Sequence, residues 1–249
     1  MRGLTRRLVV LTCVALAAAC APEPKAARVF VASSLGPAFE DLAAAFEEHA
    51  PGERVEVHAA GSPTLMLQLR EGAPADLFVP ADLVHVEAAA AAFRLLGDPL
   101  PLAANRLALA VPRGNPKAVR GLADLQRDDL VPLLCGPEVP AGRYARALLQ
   151  ASGLPARSAS DEPSVRAVVT KLRLGEADLG LVYATDVRAT PAELEEVPLS
   201  APDAPRVEYR MLLLDGGPAP KTARRFASFA AGPAGQGVLA AHGFEEVAP

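Results

Sequence analysis

Short segments that lead from a strand or a turn into the start of a helix recur along this chain of 249 residues. A small polar or proline-containing stretch stands at these junctions. Proline suits the first helical turn because the N–H that it lacks has no partner within the helix there, and a preceding serine is a good N-cap. The segments are residues 33–37, 61–64, 139–142, 162–165 and 181–183, the last of which lacks a helix start.

These junctions have a chemical consequence if the fold brings them together. Helix N-termini that converge on one point form an anion site without any positively charged side chain, because their first N–H groups are unpaired and their dipoles are positive. We therefore interpret the junctions as parts of a site that binds an oxyanion rather than transforming it.

Hydrophobic periodicity divides the chain into alternating strands and helices. Strands are predicted at residues 28–32, 54–59, 76–80, 106–111, 130–135, 178–183 and 207–214. Helices are predicted at residues 37–49, 63–70, 82–93, 142–151, 165–174, 221–231 and 235–241, with Asp82 as an N-cap. Such alternation is typical of an α/β architecture with mainly parallel sheets.

The strand–helix units are too many for one small sheet, and they show no short fixed repeat. We therefore predict two lobes, with the chain crossing near residues 102–104 and returning within residues 202–206. The first lobe is predicted to contain residues 28–103 plus 206–249, and the second residues 104–205. Ligands of such sheets bind outside the carboxyl ends of the strands, where helix N-termini gather.

Residues 1–20 have the features of an export signal. The basic residues at its start are Arg2, Arg6 and Arg7. The apolar run at residues 8–19 is too short to span a bilayer comfortably and closes on small residues before Cys20. This resembles a bacterial lipobox, which implies lipidation of Cys20, followed by a linker at residues 21–27; the alternative is an ordinary signal peptide cut near Ala19. Either way we expect an exported protein, in the periplasm or at the outer face of the membrane.

Composition argues against a nucleic-acid partner. The chain has 25 lysines and arginines against 29 aspartates and glutamates, no tryptophan and three tyrosines. Loss of the three arginines of the signal would make it more acidic still. Nucleic-acid binding is therefore not expected. Because the long-range field of an acidic protein repels an anion, such a ligand must be held by local donors.

The sequence offers no constellation for catalysis or for a resident metal ion. The histidines are scattered, at His49, His58, His85 and His242. They lack the spacing of zinc ligands, and no nucleophile elbow, P-loop or dinucleotide fingerprint is present. Cys135 alone of the three cysteines lies outside the signal, so no disulfide within one chain is expected and a buried core thiol is predicted. We expect a binding protein without a cofactor, and not an enzyme.

Four longer segments carry a resemblance to a known family. They read Val-Phe-Val-Ala-Ser-Ser-Leu at residues 29–35, Gly-Ala-Pro-Ala-Asp-Leu-Phe at 72–78, Val-Pro-Ala-Gly-Arg-Tyr-Ala at 139–145 and Leu-Gly-Leu-Val-Tyr-Ala-Thr-Asp at 179–186. In combination and in order they resemble the molybdate-binding proteins of ABC importers, from about residue 29 to residue 244. The resemblance implies a two-lobed periplasmic-binding-protein fold of type II that closes around a tetrahedral dianion in the interlobe cleft.

The same resemblance implies the ligand donors and the partners. The donors carried over by motif are Ser34, Ser62, Ala141, Val165 and Tyr183. Ser34 matches better than Ser33 because it directly precedes Leu35. Arg210 stands where proline is usual in the family, which puts the local hinge geometry in question. The implied partners are molybdate or tungstate and the permease of an ABC transporter, and a monomer is expected.

The residue types suit that chemistry. Molybdate at neutral pH is a fully deprotonated dianion, so its oxygens only accept hydrogen bonds. Hydroxyl groups and backbone N–H groups can supply every bond that such a ligand needs. Monohydrogen phosphate carries a proton that needs an acceptor, and none of the five positions is a carboxylate, so phosphate is disfavoured. Sulfate can be rejected only by its size, and tungstate is expected to bind with molybdate.

Each predicted donor also has a purely structural interpretation. Ser34 and Ser62 would serve as N-caps, and Tyr183 as a half-buried tyrosine bonded to a backbone carbonyl. Ala141 and Val165 carry no chemical signal apart from the resemblance.

The charged residues near the junctions are expected to play structural roles. Asp76 and Asp186 look like carboxylates that cap backbone groups at strand ends. Arg143 and Arg166 lie just inside two helix starts, where a cation opposes the helix dipole, so we expect them to be solvated.

Other functions remain open at this point. The same fold would serve for another oxyanion, such as sulfate, or for a small organic anion. A ligand-sensing regulatory module is opposed by the export signal and by the lack of DNA-binding helices, and an exported hydrolase by the lack of a catalytic constellation.

Overall fold

The computed structural model of the chain describes residues 25–199 and 205–247. The predicted signal segment, including Cys20, lies outside the described residues, and so does most of the predicted return crossing. The strands are β1 (Ala27–Ala32), β2 (Val55–Ala60), β3 (Leu77–Val79), β4 (Leu100–Pro112), β5 (Pro132–Cys135), β6 (Asp161–Glu162), β7 (Leu179–Tyr183), β8 (Leu194–Val197) and β9 (Arg206–Leu213). The helices are α1 (Gly36–His49), α2 (Ser62–Arg70), α3 (Leu83–Ala92), α4 (Pro140–Ala151), α5 (Val165–Arg173), α6 (Ala184–Arg188), α7 (Pro220–Ala231) and α8 (Pro233–Ala241). Short 3-10 helices occupy Ser33–Leu35 and Leu122–Gln126.

The described strands form a mixed sheet in the order β2-β1-β3-β9-β4-β7-β5-β6, with β8 paired to β4. The pairings among β1, β2 and β3 are parallel, and so are those among β5, β6 and β7. The strand β9 runs antiparallel to β3 and β4, and β4 runs antiparallel to β7 and β8. Two parallel groups flanked by helices confirm the predicted α/β fold.

The strands β4 and β9 join the two parallel groups. Residues 100–106 of β4 pair with β9, whereas residues 107–112 pair with β7 and β8. We use "first lobe" for the part built on β1–β3 and "second lobe" for the part built on β5–β7. Because β4 runs without a break from one group to the other, no single residue marks the crossing, and the predicted lobe boundaries stay a prediction.

Two details of the predicted junctions were wrong. A helix does follow Tyr183, because α6 begins at Ala184 and the Asp186 carboxylate accepts a hydrogen bond from the Tyr183 N–H at 2.9 Å. Neither predicted serine is an N-cap: Ser62 is already the first helical residue after Gly61, and no side chain caps α1. The serine that does cap a helix is Ser164, whose Oγ accepts from the Ala167 N–H at 3.3 Å.

Other predictions on the core and the caps are confirmed. Asp82 caps α3 by accepting from the His85 N–H at 2.9 Å. Cys135 is fully buried, and burial raises the pKa of its thiol, so it is an unreactive core residue. Asp76 bonds the N–H groups of Arg28 and Ala219, both at 2.9 Å, as expected of a capping carboxylate. No helix within residues 25–199 and 205–247 is long and apolar enough to cross a membrane.

Candidate functional site

The five predicted donors line one small cavity between the lobes. Ser34 lies in the 3-10 turn after β1 and Ser62 begins α2, both in the first lobe. The second lobe supplies Ala141 in the first turn of α4, Val165 at the start of α5 and Tyr183 at the end of β7. The remaining lining residues are Ala32, Ser33, Gly61, Ala81, Val139 and Pro140. The structure therefore brings all five together at the carboxyl ends of the strands, and their binding of an anion stays a prediction.

The cavity is small and uncharged. None of its lining residues carries a charge, and its free volume is about 10 Å³, about the space that one water needs. A larger organic anion would require a wider opening.

Each of the two serines has one hydrogen-bonding neighbour in the protein. The Ser62 Oγ accepts a hydrogen bond from the Ala81 N–H at 3.2 Å. The Ser34 Oγ lies 3.1 Å from the Tyr209 Oη. A serine hydroxyl has one proton to donate, so Ser62 is free to donate that proton towards the cavity.

Tyr183 brings a buried hydroxyl to the cavity, and no other described residue bonds it. Its side chain is 1% exposed, and its Oη is among the few buried side-chain polar atoms of the described residues without a hydrogen-bond partner. Burial raises the pKa of Tyr183 well above its usual value, with nearby Tyr209 adding to the effect, so the hydroxyl stays protonated. A purely structural role for Tyr183 would require a backbone carbonyl as its hydrogen-bond partner. The described residues provide none. An unpaired buried donor costs about 1–3 kcal/mol, which a bound acceptor would recover.

Backbone donors complete the lining. Ala141 and Val165 lie in the first turns of α4 and α5, where N–H groups have no partner within the helix. Both helices direct their positive dipole ends at the cavity.

Asp186 caps α6 behind Tyr183. Burial raises the pKa of its carboxyl group to about 7, although the hydrogen bond from the Tyr183 N–H and the charge of Arg166 act to lower it.

Arg143 is not solvated as predicted, because it bonds Asp82 across the cleft. Its Nη2 and Nε donate to Asp82 Oδ2 at 2.7 and 3.1 Å, joining α4 of the second lobe to the cap of α3 in the first. His85 donates its backbone N–H and its Nδ1–H to the other oxygen, at 2.9 and 2.8 Å. Burial alone would raise the pKa of Asp82, but the bonds from His85 and Arg143 outweigh it and lower that pKa. Each oxygen of Asp82 thus already accepts two hydrogen bonds, so this carboxylate cannot accept a further bond from a ligand.

Arg143→Gln should weaken anion binding by favouring the open form. In the closed form Asp82 would be left buried without its cationic partner, a loss worth several kcal/mol in a dry site and less here, where Arg143 is partly exposed. We expect molybdate, the anion that the resemblance implies, to bind about tenfold more weakly, mostly through faster release in stopped-flow measurements.

The matched control is Arg94→Gln. Arg94 pairs with Asp215 at 3.1 Å on the exposed surface of the first lobe and lies outside the residues that line the cleft, so its loss changes the net charge equally. Equal effects of the two changes would contradict the role of the Asp82–Arg143 pair.

Gly61 lets the lobes approach each other. A Cβ at this position would clash with the Pro163 backbone carbonyl oxygen of the opposite lobe. Gly142 is also too crowded for a side chain, but its neighbours are the carbonyl groups of Cys135 and Gly136 within its own lobe. Gly61 therefore permits the two lobes to approach, whereas Gly142 permits the close packing within its own lobe.

Gly61→Ala and Gly142→Ala should therefore have different effects. Gly61→Ala should leave the melting temperature of the ligand-free protein within about 2 °C of the parent, because the open form has room for the methyl group, yet weaken molybdate binding at least tenfold. Gly142→Ala should lower the melting temperature itself, by the several degrees that about 1–3 kcal/mol of overpacking produces. A Gly61→Ala protein that binds normally would show that the lobes need not approach this closely.

The remaining predicted arginines lie outside the cavity lining. Arg166 is exposed, as expected, with its guanidinium lying against Gly36 of the first lobe. Arg210 pairs with Pro101 next to an irregularity in the β4–β9 pairing, between Pro101 and Ala103. Arg210, which stands where proline is usual in the family, therefore lies in the strand pair that joins the lobes.

Sequence reasoning missed the residues that support the donors. Asn105 and Tyr209, on β4 and β9, form a buried network with Ser34 and Thr185. They lie inside strands and not at strand–helix junctions, so the junction pattern gave no signal for them.

Comparisons with known proteins agree with this geometry. Residues 27–245 match the family described as bacterial extracellular solute-binding protein. The molybdate-binding protein ModA of Mycobacterium tuberculosis H37Rv is 36% identical over 218 residues, which cover 87% of this chain and 83% of that protein. The solved structure of the Azotobacter vinelandii periplasmic molybdate-binding protein is similar with a TM-score of 0.73 at 23% identity, covering 90% of this chain and 99% of that one. The sulfate-binding protein SubI of Mycobacterium tuberculosis gives a TM-score of 0.77 at 18% identity, covering 90% and 88%.

The fold, the interlobe cavity and the family match together define an extracellular solute-binding protein of bacterial type. The two structural likenesses show a shared type II fold and do not choose between ligands, since the sulfate-binding protein superposes as well as the molybdate-binding one. The sequence relatives are more specific, and the chain belongs to the family of the ModA molybdate-binding proteins. These relatives are binding proteins, which supports at the family level the expectation that the chain is not an enzyme.

Proposed function

We propose that the protein is an extracytoplasmic receptor that captures molybdate in the interlobe cavity and delivers it to an ABC importer. The observation that carries the proposal is the buried Tyr183 hydroxyl, a protonated donor without a partner that faces an uncharged cavity. The oxygens of an anion supply the acceptor that this hydroxyl group lacks. The named function of the sequence relatives supports molybdate as that anion.

The proposed binding mode uses donors alone. The hydroxyl groups of Ser34, Ser62 and Tyr183 and the backbone N–H groups of Ala141 and Val165 would surround the oxygens. Hydrogen bonds to a charged group contribute roughly 1.5–3 kcal/mol each, so several of them can offset the loss of the hydration of the ion. Tungstate, nearly equal in size and equally free of protons, is proposed to bind as well.

Closure converts binding into a signal. Two of the proposed donors belong to the first lobe and three to the second, so a ligand that bonds all five binds the closed form better than the open form. The closed form is proposed to be the one that the permease of the transporter binds. We further propose that Cys20 carries the lipid that anchors the protein as a monomer to the membrane.

Calorimetric titration of the purified protein with molybdate, tungstate, sulfate and phosphate tests the proposal. We expect one tight site for molybdate and tungstate and much weaker binding of the other two. Tyr183→Phe should weaken molybdate binding about 10- to 100-fold, the equivalent of one charge-assisted hydrogen bond.

Tyr144→Phe is the matched control, because it removes the same atom from an α4 tyrosine that does not line the cavity. The affinity of the Tyr144→Phe protein for molybdate should remain within about twofold of the parent value. Tighter binding of sulfate than of molybdate would retain the fold and overturn the ligand, whereas no binding of any oxyanion would overturn the receptor itself.

A further inference from the structure

The amide of Asn105 has a fixed orientation at the junction of the lobes. Asn105 is 3% exposed, and its Oδ1 accepts from the Arg106 N–H at 2.9 Å. Its Nδ2 therefore faces the other way, where it donates to Thr185 Oγ1 at 2.8 Å and to Tyr209 Oη at 3.4 Å. An amide group with the opposite assignment would place its NH₂ against the Arg106 N–H, which is also a donor.

The orientation of Asn105 decides where the proton of Tyr209 points. The Tyr209 Oη accepts from Asn105, and its other partner among the described residues is Ser34 Oγ at 3.1 Å. Tyr209 is fully buried, and burial raises the pKa of its hydroxyl, which therefore keeps its proton. Because Asn105 already donates to this oxygen, the contact with Ser34 is the one in which Tyr209 can use its own proton.

With Tyr209 as the donor, the Ser34 hydroxyl keeps its own proton free to donate. Its side chain lines the cavity and also a wider pocket beside it, which Arg166 and Thr185 line as well. If Ser34 turned to accept a further bond from a ligand, its proton would lose the ligand as its acceptor and would be buried unpaired, which is unfavourable. Towards an anion bound in the cavity Ser34 therefore acts as a donor.

We propose that Asn105 and Tyr209 are positioning residues that fix Ser34 as a donor and thereby make the site selective for dianions without protons over monohydrogen oxyanions. The inference rests on the proposed function and deepens it, because it names residues outside the cavity lining that set the ligand class. Phosphate has the same charge as molybdate when it is monohydrogen phosphate. The proton on that ion, and not its charge, is what the Asn105–Tyr209–Ser34 relay rejects.

Asn105→Asp should reverse the relay. An aspartate can accept from the Arg106 N–H and, with its second oxygen, from Tyr209, so the tyrosine proton turns away from Ser34. Tyr209 then accepts from Ser34, and the serine presents lone pairs to the cavity. At pH 9, where the introduced carboxyl group and both ligands are ionised, molybdate binding should weaken and competition by phosphate should strengthen. We expect the affinity ratio to shift towards phosphate by about tenfold or more, since one donor is lost to molybdate and one acceptor is gained by phosphate.

The double variant Asn105→Asp, Tyr209→Phe separates the relay from the added charge. Phenylalanine keeps the ring packing against Phe244, at a centroid distance of 5.6 Å, but removes the oxygen through which position 105 acts on Ser34. The added charge repels both dianions alike and cancels in the ratio. Tyr209→Phe alone should itself lower the molybdate-to-phosphate ratio, because Ser34 can then either donate to molybdate or accept from phosphate. The additional shift caused by Asn105→Asp should disappear in this background, so the ratio of the double variant should match that of Tyr209→Phe within about twofold. A merely structural role for Asn105 would not produce this dependence on one oxygen atom.

The outcomes are distinguishable from those of the proposed function. If the parent protein binds no molybdate, the proposed function fails before the relay is tested. If it binds molybdate and Asn105→Asp leaves the ratio unchanged, or if the additional shift survives in the double variant, the relay is overturned. Should Asn105→Asp fail to fold, neutron diffraction of the parent crystallised with molybdate gives the answer directly. Deuterium on Tyr209 Oη pointing to Ser34 Oγ supports the relay, and any other direction overturns it.

Discussion

The antiparallel pairing of β4 with β9 is the interaction on which the rest of the structure depends. These two strands join the first and second lobes within the described chain, and each lobe then arranges its own parallel strands beside them. Because the carboxyl ends of those parallel strands face the cleft between the lobes, the helix starts that follow them also meet there. The same strand pair carries Asn105 and Tyr209, so the element that joins the lobes also bonds the cavity serine.

The proposed site would bind an anion with neutral groups alone, although the protein as a whole is acidic. An acidic protein repels an anion at long range, and burying a dianion requires that every oxygen be bonded. The proposed binding mode meets this requirement with hydroxyl and backbone N–H donors, and the nearby carboxylate of Asp82 is occupied by His85 and Arg143. Arg143 thus bridges the cleft beside the cavity and bonds a buried carboxylate of the opposite lobe.

Much of this arrangement could be predicted from the sequence, and the failures have physical reasons. Strand–helix alternation predicted the α/β class, and the segments around Ser34, Ser62, Ala141, Val165 and Tyr183 identified residues that the structure places in one cavity. Local sequence patterns report local structure, so they predicted where helices begin. They gave no information on Arg143, whose partner Asp82 is 61 positions away, and helix-dipole reasoning alone predicted it to be solvated.

The supporting residues were missed for a similar reason. Asn105 and Tyr209 lie in the interiors of β4 and β9, and their effect on Ser34 depends on a network between strands 104 positions apart. The two-residue strand β6 and the charged strand β8 were also missed, because neither shows the apolar run or the alternation by which strands are recognised. In these cases the role of each residue depends on contacts with residues distant in the sequence, which local patterns do not reveal.

The most direct test of the account is a crystal structure of the protein grown with molybdate. We predict the anion between the lobes, with its oxygens bonded by the hydroxyl groups of Ser34, Ser62 and Tyr183 and by the N–H groups of Ala141 and Val165, and with Arg143 still bonded to Asp82. An anion bonded directly by Arg143 or Arg166, or bound outside this cavity, would contradict the claim that neutral donors alone hold the ligand.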